Sequence, residues 1–590
     1  MNIEKLKDAA RKLEEKKNPE TNKVVPLKKK IRIEEPKKDN VLAIPNLSLV
    51  LRSVSKFLSG KGTKKKLKGL EIPGIKEGKV KFKGLNIPDL SKVDMVYPLI
   101  PRNPKGNEPI YAYAHIRWDE SRSILRYDVI EPELTREDKI FLERVKETIQ
   151  ERLDIDFTKL NLNQAQEYLD EKFNEVLDFL GITLDEKRRK KIQYYLYRDF
   201  IGFGKIEPLM HDPYIEDISC DGVGIPIYVY HRNPFFGSIE TNVVFETKDE
   251  LDSFVMKLVQ RGEKSISMAE PLVDASLPDG SRLQVTFGTD IAKRGSNFTI
   301  RKFTEKPMTP VDLIELGTVD IRILAYLWFC IEHGKSILVA GGTATGKTTM
   351  LNVLSMFIKP NMKVISIEDT PELKFSHPHW ISEVAREPIS EIGEKKFGQV
   401  DLYDLLRESL RQRPDYLIVG EVRGKEAYVL FQQMVTGHPG LSTIHAENID
   451  KLMDRLTTEP INLSPSLIEN LDIIIFLKRV KKGPAYLRRV SEVLEVERYD
   501  KKEDKVIVNE VFKWDPVSDS FYSPNGSVIL KKLSEYLGIS PEKIKRDIKE
   551  RAEILDMALK RNVRDYEEFG KIVRMYYANS QKLIEMLRGY

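Results

Sequence analysis

The chain has 590 residues, 41% of them hydrophobic and 32% charged, so it is too long for one ordinary domain and is expected to form roughly two to four folded units. Residues 1–90 carry 24 Lys and Arg against 11 Asp and Glu, and the remainder carries 72 against 80, so the basic character belongs to the first segment and the rest offers no obvious nucleic-acid surface. No apolar run of about 18 residues, no signal peptide and no Cys-x-x-Cys pair is present, which argues against a membrane-spanning helix, secretion and a four-cysteine zinc site, and predicts a cytoplasmic protein.

The first two predicted units differ in their apolar patterns. Residues 1–95 are interpreted as a flexible basic arm, because lysine clusters interrupt every short apolar pattern. Residues 96–200 begin with a predicted hairpin, whose strands are 109–116 and 124–129. Three amphipathic helices are predicted after the hairpin from apolar residues three and four apart. These helices are 138–153, 163–179 and 184–200.

Residues 201–306 are predicted to form an α/β domain rich in strands. Segments of β-branched and aromatic residues predict the strands, and an amphipathic period predicts one helix at 249–260. The predicted strands are 225–230, 242–245, 281–287 and 297–301. Pro307 and Pro310 mark a linker to the next unit.

Residues 307–490 alternate between strand and helix patterns, which is typical of a parallel sheet covered by helices. Strands are predicted at 336–340, 363–367, 415–419 and 441–444, with helices at 348–357 and 402–413. Residues 491–590 are predicted to start with a short strand-and-turn region and to continue as amphipathic helices. We assign no chemistry to that last segment.

A glycine-rich loop follows the first of these strands. The pattern Gly-x-x-x-x-Gly-Lys-Thr comes between an apolar strand and a helix, the context in which it binds phosphate. Its glycines let backbone N–H groups turn toward an anion, and Lys347 is expected to reach the β- and γ-phosphates while the Thr348 hydroxyl binds Mg²⁺. The cofactors predicted are therefore ATP and Mg²⁺. The nucleotide-binding residues predicted are Gly341, Gly342, Thr343, Ala344, Thr345, Gly346, Lys347, Thr348 and Thr349.

Carboxylates end two of the other predicted strands. Glu368 follows strand 363–367, and Glu421 follows strand 415–419 after a glycine. The carboxyl ends of parallel strands open on one crevice, so both side chains are expected to face the nucleotide. We assign Glu421 to Mg²⁺ through water, and Glu368 to activation of the attacking water with Asp369 and Glu372 in support. Which of these three carboxylates is the general base stays open.

His445 ends the predicted strand 441–444, again at the crevice. A histidine there can hydrogen-bond the γ-phosphate and report its presence. Zinc binding is the weaker alternative, because no third ligand is evident.

Four motifs, in this order, resemble those of the secretion ATPases of type II and type IV systems, pilus assembly and the archaeal flagellum. Residues 341–348 resemble the family's Walker A, 367–372 its aspartate box, 417–423 its Walker B and 436–446 its histidine box. The resemblance covers roughly residues 110–590 and fits the archaeal branch best. It implies a RecA-like P-loop ATPase domain at 307–490, a mixed α/β, PAS-like N-terminal domain at 201–306 and a helical C-terminal extension.

The resemblance also implies partners and further site residues. It implies a homo-hexameric ring at the inner face of the cell membrane, a polytopic membrane platform protein as partner, and a nucleotide held between two domains. Family members supply arginines to the phosphates, and Arg282, Arg294 and Arg301 are the candidates here, with Arg411 on the helix before Walker B. Guanidinium groups stabilise charge in phosphoryl transfer.

Three classes of function stay open on the sequence. The leading class is a membrane-associated motor, either for assembly of a type IV pilus-like filament or protein secretion or, as an alternative, for the archaellum. A hexameric nucleic-acid motor is disfavoured by the acidic body. A small-molecule kinase is disfavoured by the length of the chain.

Overall fold

The computed structural model of the protein describes residues 89–588, except 107, 153–160, 234, 304–305, 387–389, 393–394, 483–484, 501 and 504. The predicted basic arm therefore lies outside the described residues as far as residue 88. The prediction of a flexible arm is wrong for residues 90–95. These residues form a 3₁₀ turn at Leu90–Lys92 and the start of a strand at Asp94. Within the described part of the chain, no helix is both long and apolar enough to cross a bilayer.

A first sheet of nine strands has the order β1-β2-β3-β6-β5-β4-β9-β8-β7. Its strands are β1 Asp94–Ile100, β2 Ala112–Asp119, β3 Ile124–Ile130, β4 Ile215–Cys220, β5 Pro226–His231, β6 Ser238–Val244, β7 Leu272–Ser276, β8 Arg282–Thr286 and β9 Asn297–Arg301. The predicted hairpin is confirmed as the antiparallel pair β2 and β3. Buried and partly exposed residues alternate along both strands, and β3 pairs in parallel with β6, so the hairpin extends the sheet of the following region.

Five α-helices accompany this sheet in the described part of the chain. They are α1 Arg136–Arg152, α2 Leu162–Leu180, α3 Glu186–Leu196, α4 Glu207–His211 and α5 Lys248–Arg261. The side chain of Asn161 caps α2 by accepting a hydrogen bond from the Gln164 N–H at 3.0 Å. The first three helices bury a core of their own around Val145, Phe173 and Ile192, so apolar periodicity predicted them correctly.

A second sheet of nine strands has the order β12-β11-β15-β16-β10-β17-β18-β19-β20. Its strands are β10 Ile337–Gly341, β11 Val364–Glu368, β12 Trp380–Val384, β15 Tyr416–Val419, β16 Gly440–Ile444, β17 Ile473–Lys482, β18 Ala485–Asp500, β19 Lys505–Asp515 and β20 Ser520–Tyr522, while β13 Ser390–Ile392 and β14 Lys395–Phe397 pair separately. In the order of the sheet, neighbouring strands from β12 through β11, β15, β16 and β10 to β17 are parallel. Neighbouring strands from β17 through β18 and β19 to β20 are antiparallel. The central strands β10, β11, β15 and β16 are buried throughout, as expected for a parallel sheet covered on both faces.

Among the described residues, ten α-helices cover the second sheet and extend the chain beyond it. They are α6 Pro310–Glu315, α7 Ile321–Glu332, α8 Lys347–Ser355, α9 Leu402–Ser409, α10 Glu426–Val435, α11 Ile449–Thr457, α12 Pro465–Ile468, α13 Val528–Leu537, α14 Pro541–Lys560 and α15 Tyr566–Arg588. The segment after residue 490 contributes the rest of β18 and the strands β19 and β20 to the sheet before it becomes helical. Buried Arg551 of α14 pairs with Glu332 of α7, and Trp328 Nε1 donates to the Tyr577 hydroxyl at 2.9 Å. The C-terminal helices therefore complete one face of the core.

Candidate nucleotide site

The glycine loop lies between β10 and α8, as the sequence predicts. Gly341 is crowded, since a Cβ there would lie 2.6 Å from Thr345 Oγ1 and 2.7 Å from the Leu477 carbonyl oxygen. Gly346 has φ +92°, a conformation that glycine adopts without strain. It precedes the first turn of α8, whose N–H groups have no partner within the helix and favour an anion. This is the geometry expected of a phosphate-binding loop.

The lysine of the loop lies beside the histidine at the end of β16. Lys347 is buried, and its ammonium donates to the Gly342 carbonyl oxygen at 3.1 Å. The same ammonium lies 3.3 Å from Nδ1 and 3.4 Å from Nε2 of His445. Burial and the neighbouring Lys347 lower the pKa of His445, and burial lowers the pKa of Lys347. His445 is therefore held in its neutral form, which can accept as well as donate a hydrogen bond.

Glu421 connects this pair to the second acidic segment. Its Oε1 lies 3.1 Å from His445 Nε2, and its Oε2 accepts from Arg423 Nη2 at 2.5 Å. Arg423 Nη1 lies 3.7 Å from Asp369 Oδ2. A continuous chain of contacts thus runs from Lys347 to Asp369, and it brings together residues from all four motifs.

Glu368, at the end of β11, is the most deeply buried carboxylate of the site, with 2% of its surface exposed. Its Oε1 accepts from the N–H groups of Glu372 and Leu373 at 2.9 and 3.0 Å. Its Oε2 is buried and has no hydrogen-bond partner among the described residues. Burial raises the pKa of Glu368 to about 7, although the hydrogen bonds from the two N–H groups and, less strongly, the charge of Arg282 oppose the effect. A carboxyl group with a pKa near neutrality is suited to accept a proton.

The glycine before Glu421 makes room for Glu368. A Cβ on Gly420 would lie 3.2 Å from Cγ and 3.5 Å from Cβ of Glu368. A larger side chain at this position would press on the Glu368 side chain. The close approach of β11 and β15 therefore favours a glycine here.

Gly420→Ala is expected to displace Glu368 by a few tenths of an ångström and to reduce ATP turnover by about tenfold, since small misplacements of a reacting group are costly. Nucleotide affinity is expected to stay within about twofold, because Gly420 does not touch the loop that holds the phosphates. Turnover and the ADP dissociation constant measure the two effects. In a Glu368→Gln background, Gly420→Ala is expected to cause no further loss of ATP turnover. A further loss of about tenfold in turnover in that background would contradict this explanation.

The predicted arginines divide into two groups. Arg282 Nη2 lies 3.0 Å from Glu372 Oε1 and so joins the first sheet to the second. Arg301 lies opposite Arg282 in the β8–β9 register, and its charge contributes to lowering the pKa of Lys347. Arg411 lies elsewhere, with 80% of its side chain exposed and an ion pair to Glu408. Exposed Arg294 lies in the turn before β9, where its carbonyl accepts from the Val223 N–H.

A cleft of about 2900 Å³ lies between the two sheets. Arg282 and Arg301 line it from the first sheet, and Asp369, Arg423 and Glu426 line it from the second. No residue of 341–349 is among the residues that line the cleft. Lys347 is connected to the cleft through His445, Glu421 and Arg423. The space is therefore walled by charged groups of both signs.

Three arginines at the site were given no role from the sequence. Arg423 bridges Glu421 and Asp369, and its position two residues after Glu421 was a usable signal. Arg455 Nη1 donates to the His445 carbonyl oxygen at 3.2 Å, and Arg488 Nε donates to the Ala344 carbonyl oxygen at 3.1 Å. The last two come from α11 and β18, so only the folded chain brings them to the loop.

The donor set is consistent with Mg²⁺ bound next to a triphosphate. Thr348 lies in the first turn of α8, and Glu421 Oε1 is buried without an aligned hydrogen-bond donor among the described residues. Mg²⁺ prefers oxygen ligands and is usually held by one or two protein groups together with phosphates and water. Across the described residues, no group of three or more His, Cys, Asp or Glu could bind a metal by itself. The residues therefore fit an ion shared with the nucleotide.

The fold and the site define a protein with a RecA-like phosphate-loop domain and a mixed α/β N-terminal domain. Residues 236–483 match the family model "Type II/IV secretion system protein". "Uncharacterized protein MJ0900" of Methanocaldococcus jannaschii is 39% identical over 475 residues, which cover 77% of this chain and 85% of that protein. "Type IV secretion system protein PtlH" of Bordetella pertussis is 29% identical over 283 residues, covering 42% of this chain and 81% of PtlH.

Among solved structures, the Legionella pneumophila ATPase DotB is similar with 18% identity and a TM-score of 0.35, covering 64% of this chain and 95% of DotB. The identity to MJ0900 along most of both chains and the family model agree with the four motifs. The chain belongs to the type II/IV secretion system ATPase family, and the family predicted from the motifs is confirmed.

Proposed function

We propose that this chain is a hexameric ATPase, which binds ATP and Mg²⁺ at residues 341–349 and converts hydrolysis into motion for a membrane-bound machine. The machine proposed is one that assembles a type IV pilus-like filament or secretes protein, through a polytopic membrane platform at the inner face of the cell membrane. The observation that carries the proposal is the chain of contacts from Lys347 through His445 and Glu421 to Arg423.

Each residue has a role that follows from its position. The loop N–H groups and Lys347 bind the phosphates, and Thr348 and Glu421 are the residues that would hold Mg²⁺, which supplies positive charge to the phosphate oxygens when bound. Glu368 accepts a proton from the attacking water through Oε2, the oxygen that accepts no hydrogen bond from any described residue. The N–H groups of Glu372 and Leu373 fix the other oxygen and thereby orient the side chain.

His445 and the arginines relate hydrolysis to movement. Neutral His445 lies between Lys347 and Glu421, where it contacts the γ-phosphate and senses its loss. Arg301 and Arg282 lie on the first sheet and offer positive charge toward the phosphates from across the cleft, and Arg411, on the surface, is the candidate to act on a neighbouring subunit. A γ-phosphate held by both sheets stabilises their closed arrangement, and hydrolysis removes that contact.

The test is the pH dependence of phosphate release at saturating ATP and Mg²⁺. Burial raises the pKa of Glu368 to about 7, and a general base acts only when it is ionised. Turnover is therefore expected to be constant above about pH 8 and to fall about tenfold per pH unit below about 6. The residual rate of Glu368→Gln is expected to lack this slope. Absence of phosphate release by the wild-type protein, or equal slopes for both proteins, would refute the assignment.

A further inference from the structure

Arg488 lies on β18, two strands away from the strand that leads into the phosphate loop. In the β10–β17 register Gly341 is opposite Leu477, and in the β17–β18 register Arg479 is opposite Arg488. Arg488 therefore lies two residues beyond the level at which β10 ends. This position places its side chain beside the loop.

The side chain of Arg488 lies across the part of the loop with unusual backbone geometry. Its Nε donates to the Ala344 carbonyl oxygen at 3.1 Å, and its Cδ would lie 3.4 Å from a Cβ on Gly346. Ala344 has φ +57° and Gly346 has φ +92°. An alanine in the left-handed region is strained by its Cβ. The contact with Arg488 therefore stabilises a backbone conformation that alanine does not favour.

The peptide that follows Ala344 explains what this contact achieves. In a trans peptide the carbonyl and the N–H group point in opposite directions. Holding the Ala344 carbonyl toward Arg488 therefore holds the N–H of Thr345 away from β18. Inward-turned N–H groups of this kind are what makes such a loop bind an anion.

The strand that carries Arg488 is firmly anchored by its neighbours. Arg489 is 1% exposed, and it donates from Nη1 to the Leu316 carbonyl oxygen and from Nε to Asp519 Oδ1, both at 2.9 Å. The N–H of Val490 donates to the Thr318 carbonyl oxygen at 2.8 Å. These contacts fix the backbone of β18. The Cα of Arg488 therefore has a fixed position relative to the loop.

We propose that Arg488 is a positioning residue, which holds the phosphate loop in the left-handed turn at Ala344–Gly346 and thereby prepares its N–H groups for phosphate. Arg488 acts through the Ala344 carbonyl and does not touch the nucleotide. The inference rests on the proposed nucleotide binding of the loop, and it adds a residue from outside the four motifs to the site.

Arg488→Met tests the proposal, because methionine keeps an unbranched apolar stem over Gly346 and removes the hydrogen-bond donor. The dissociation constant of ADP, measured with Mg²⁺ by fluorescence titration, is expected to rise by about tenfold, while turnover at saturating ATP is expected to change less than about twofold. Lys481→Ala is the matched control, since Lys481 lies on the same hairpin, contacts Tyr486 and has no described contact with the loop. It removes the same charge and is expected to leave both values unchanged.

A second substitution separates positioning from direct attraction of the phosphates. Ala344→Gly in the Arg488→Met background is expected to restore most of the affinity, because glycine adopts a positive φ without strain. An unrescued loss, or an equal loss in Lys481→Ala, would mean that Arg488 acts only through its charge and would overturn the proposal. Unchanged affinity in Arg488→Met would overturn it as well. Normal ADP binding by Lys347→Ala would instead refute the proposed function of the loop.

Discussion

Lys347→Ala is expected to weaken ATP and ADP binding by at least about a hundredfold and to abolish turnover, since charge-assisted hydrogen bonds to two phosphates are lost together. The residue is buried, and its ammonium lies among the Gly342 carbonyl oxygen and the His445 ring nitrogens. No other lysine described in the structure makes these contacts. Titration with a fluorescent nucleotide and a phosphate-release assay measure the two effects.

The matched control for this experiment is Lys560→Ala. Lys560 has 72% of its side chain exposed and pairs only with Asp556 on the surface of α14 among its described contacts. Its loss is expected to change neither affinity nor turnover, because exposed ion pairs contribute little. Wild-type turnover in Lys347→Ala would remove the basis of the proposed site.

Glu368→Gln is expected to retain nucleotide affinity within about twofold and to lose turnover by about 10²- to 10⁴-fold, the usual contribution of a general base. Glutamine has the same shape, and its carbonyl oxygen can still accept from the N–H groups of Glu372 and Leu373. Only the proton acceptor is lost. Ring formation is expected to persist, so the mass of the assembly measured by light scattering with ATP is expected to be that of six chains in both proteins.

Glu372→Gln is the comparison that decides which carboxylate is the base. It removes the ion pair with Arg282 but leaves the Glu372 N–H bonded to Glu368. Turnover is expected to fall far less than in Glu368→Gln. If Glu372→Gln alone bound nucleotide normally and lost hydrolysis, Glu368 would not be the base.

Thermal unfolding supplies an independent readout for Glu368→Gln. Because burial raises the pKa of Glu368 to about 7 from the ordinary value of 4.5, ionising it in the folded protein is unfavourable. The free energy of unfolding therefore falls as pH rises from about 4.5 to 7, by on the order of 3 kcal/mol. Glutamine lacks this charge, so the variant is expected to be the more stable protein above pH 7 and equal to the wild type near pH 4. Such an exchange of stability for activity is common at catalytic sites.

The sequence specified most of the elements that form the site. Apolar runs of four or five residues predicted β10, β11, β15 and β16, and each of them is buried throughout. The alternation of strand and helix predicted a parallel sheet, which in turn predicted that Glu368, Glu421 and His445 would lie at one edge. Local signals sufficed here because a buried parallel strand has to be continuously apolar and its polar residues have to follow its carboxyl end.

The extent of the two sheets was not evident from local patterns. The hairpin β2–β3 joins the first sheet through β3 and β6, and β18 continues across residue 490 as part of the second sheet. Pairing between strands distant in sequence depends on which edges are free in the folded chain. A local sequence pattern does not specify which strands pair with each other.

By itself, the sequence determined the glycine loop between β10 and α8, the order of the four motifs and therefore the family. Tertiary structure alone decided that Glu368 is buried against Gly420, that Arg282 pairs with Glu372 and that Arg488 lies across the loop. The first group depends on residues adjacent in the chain, whose geometry is set by local backbone preference. The second depends on contacts between separate strands, and burial at those contacts is what raises the pKa of Glu368 and orients the charged groups around it.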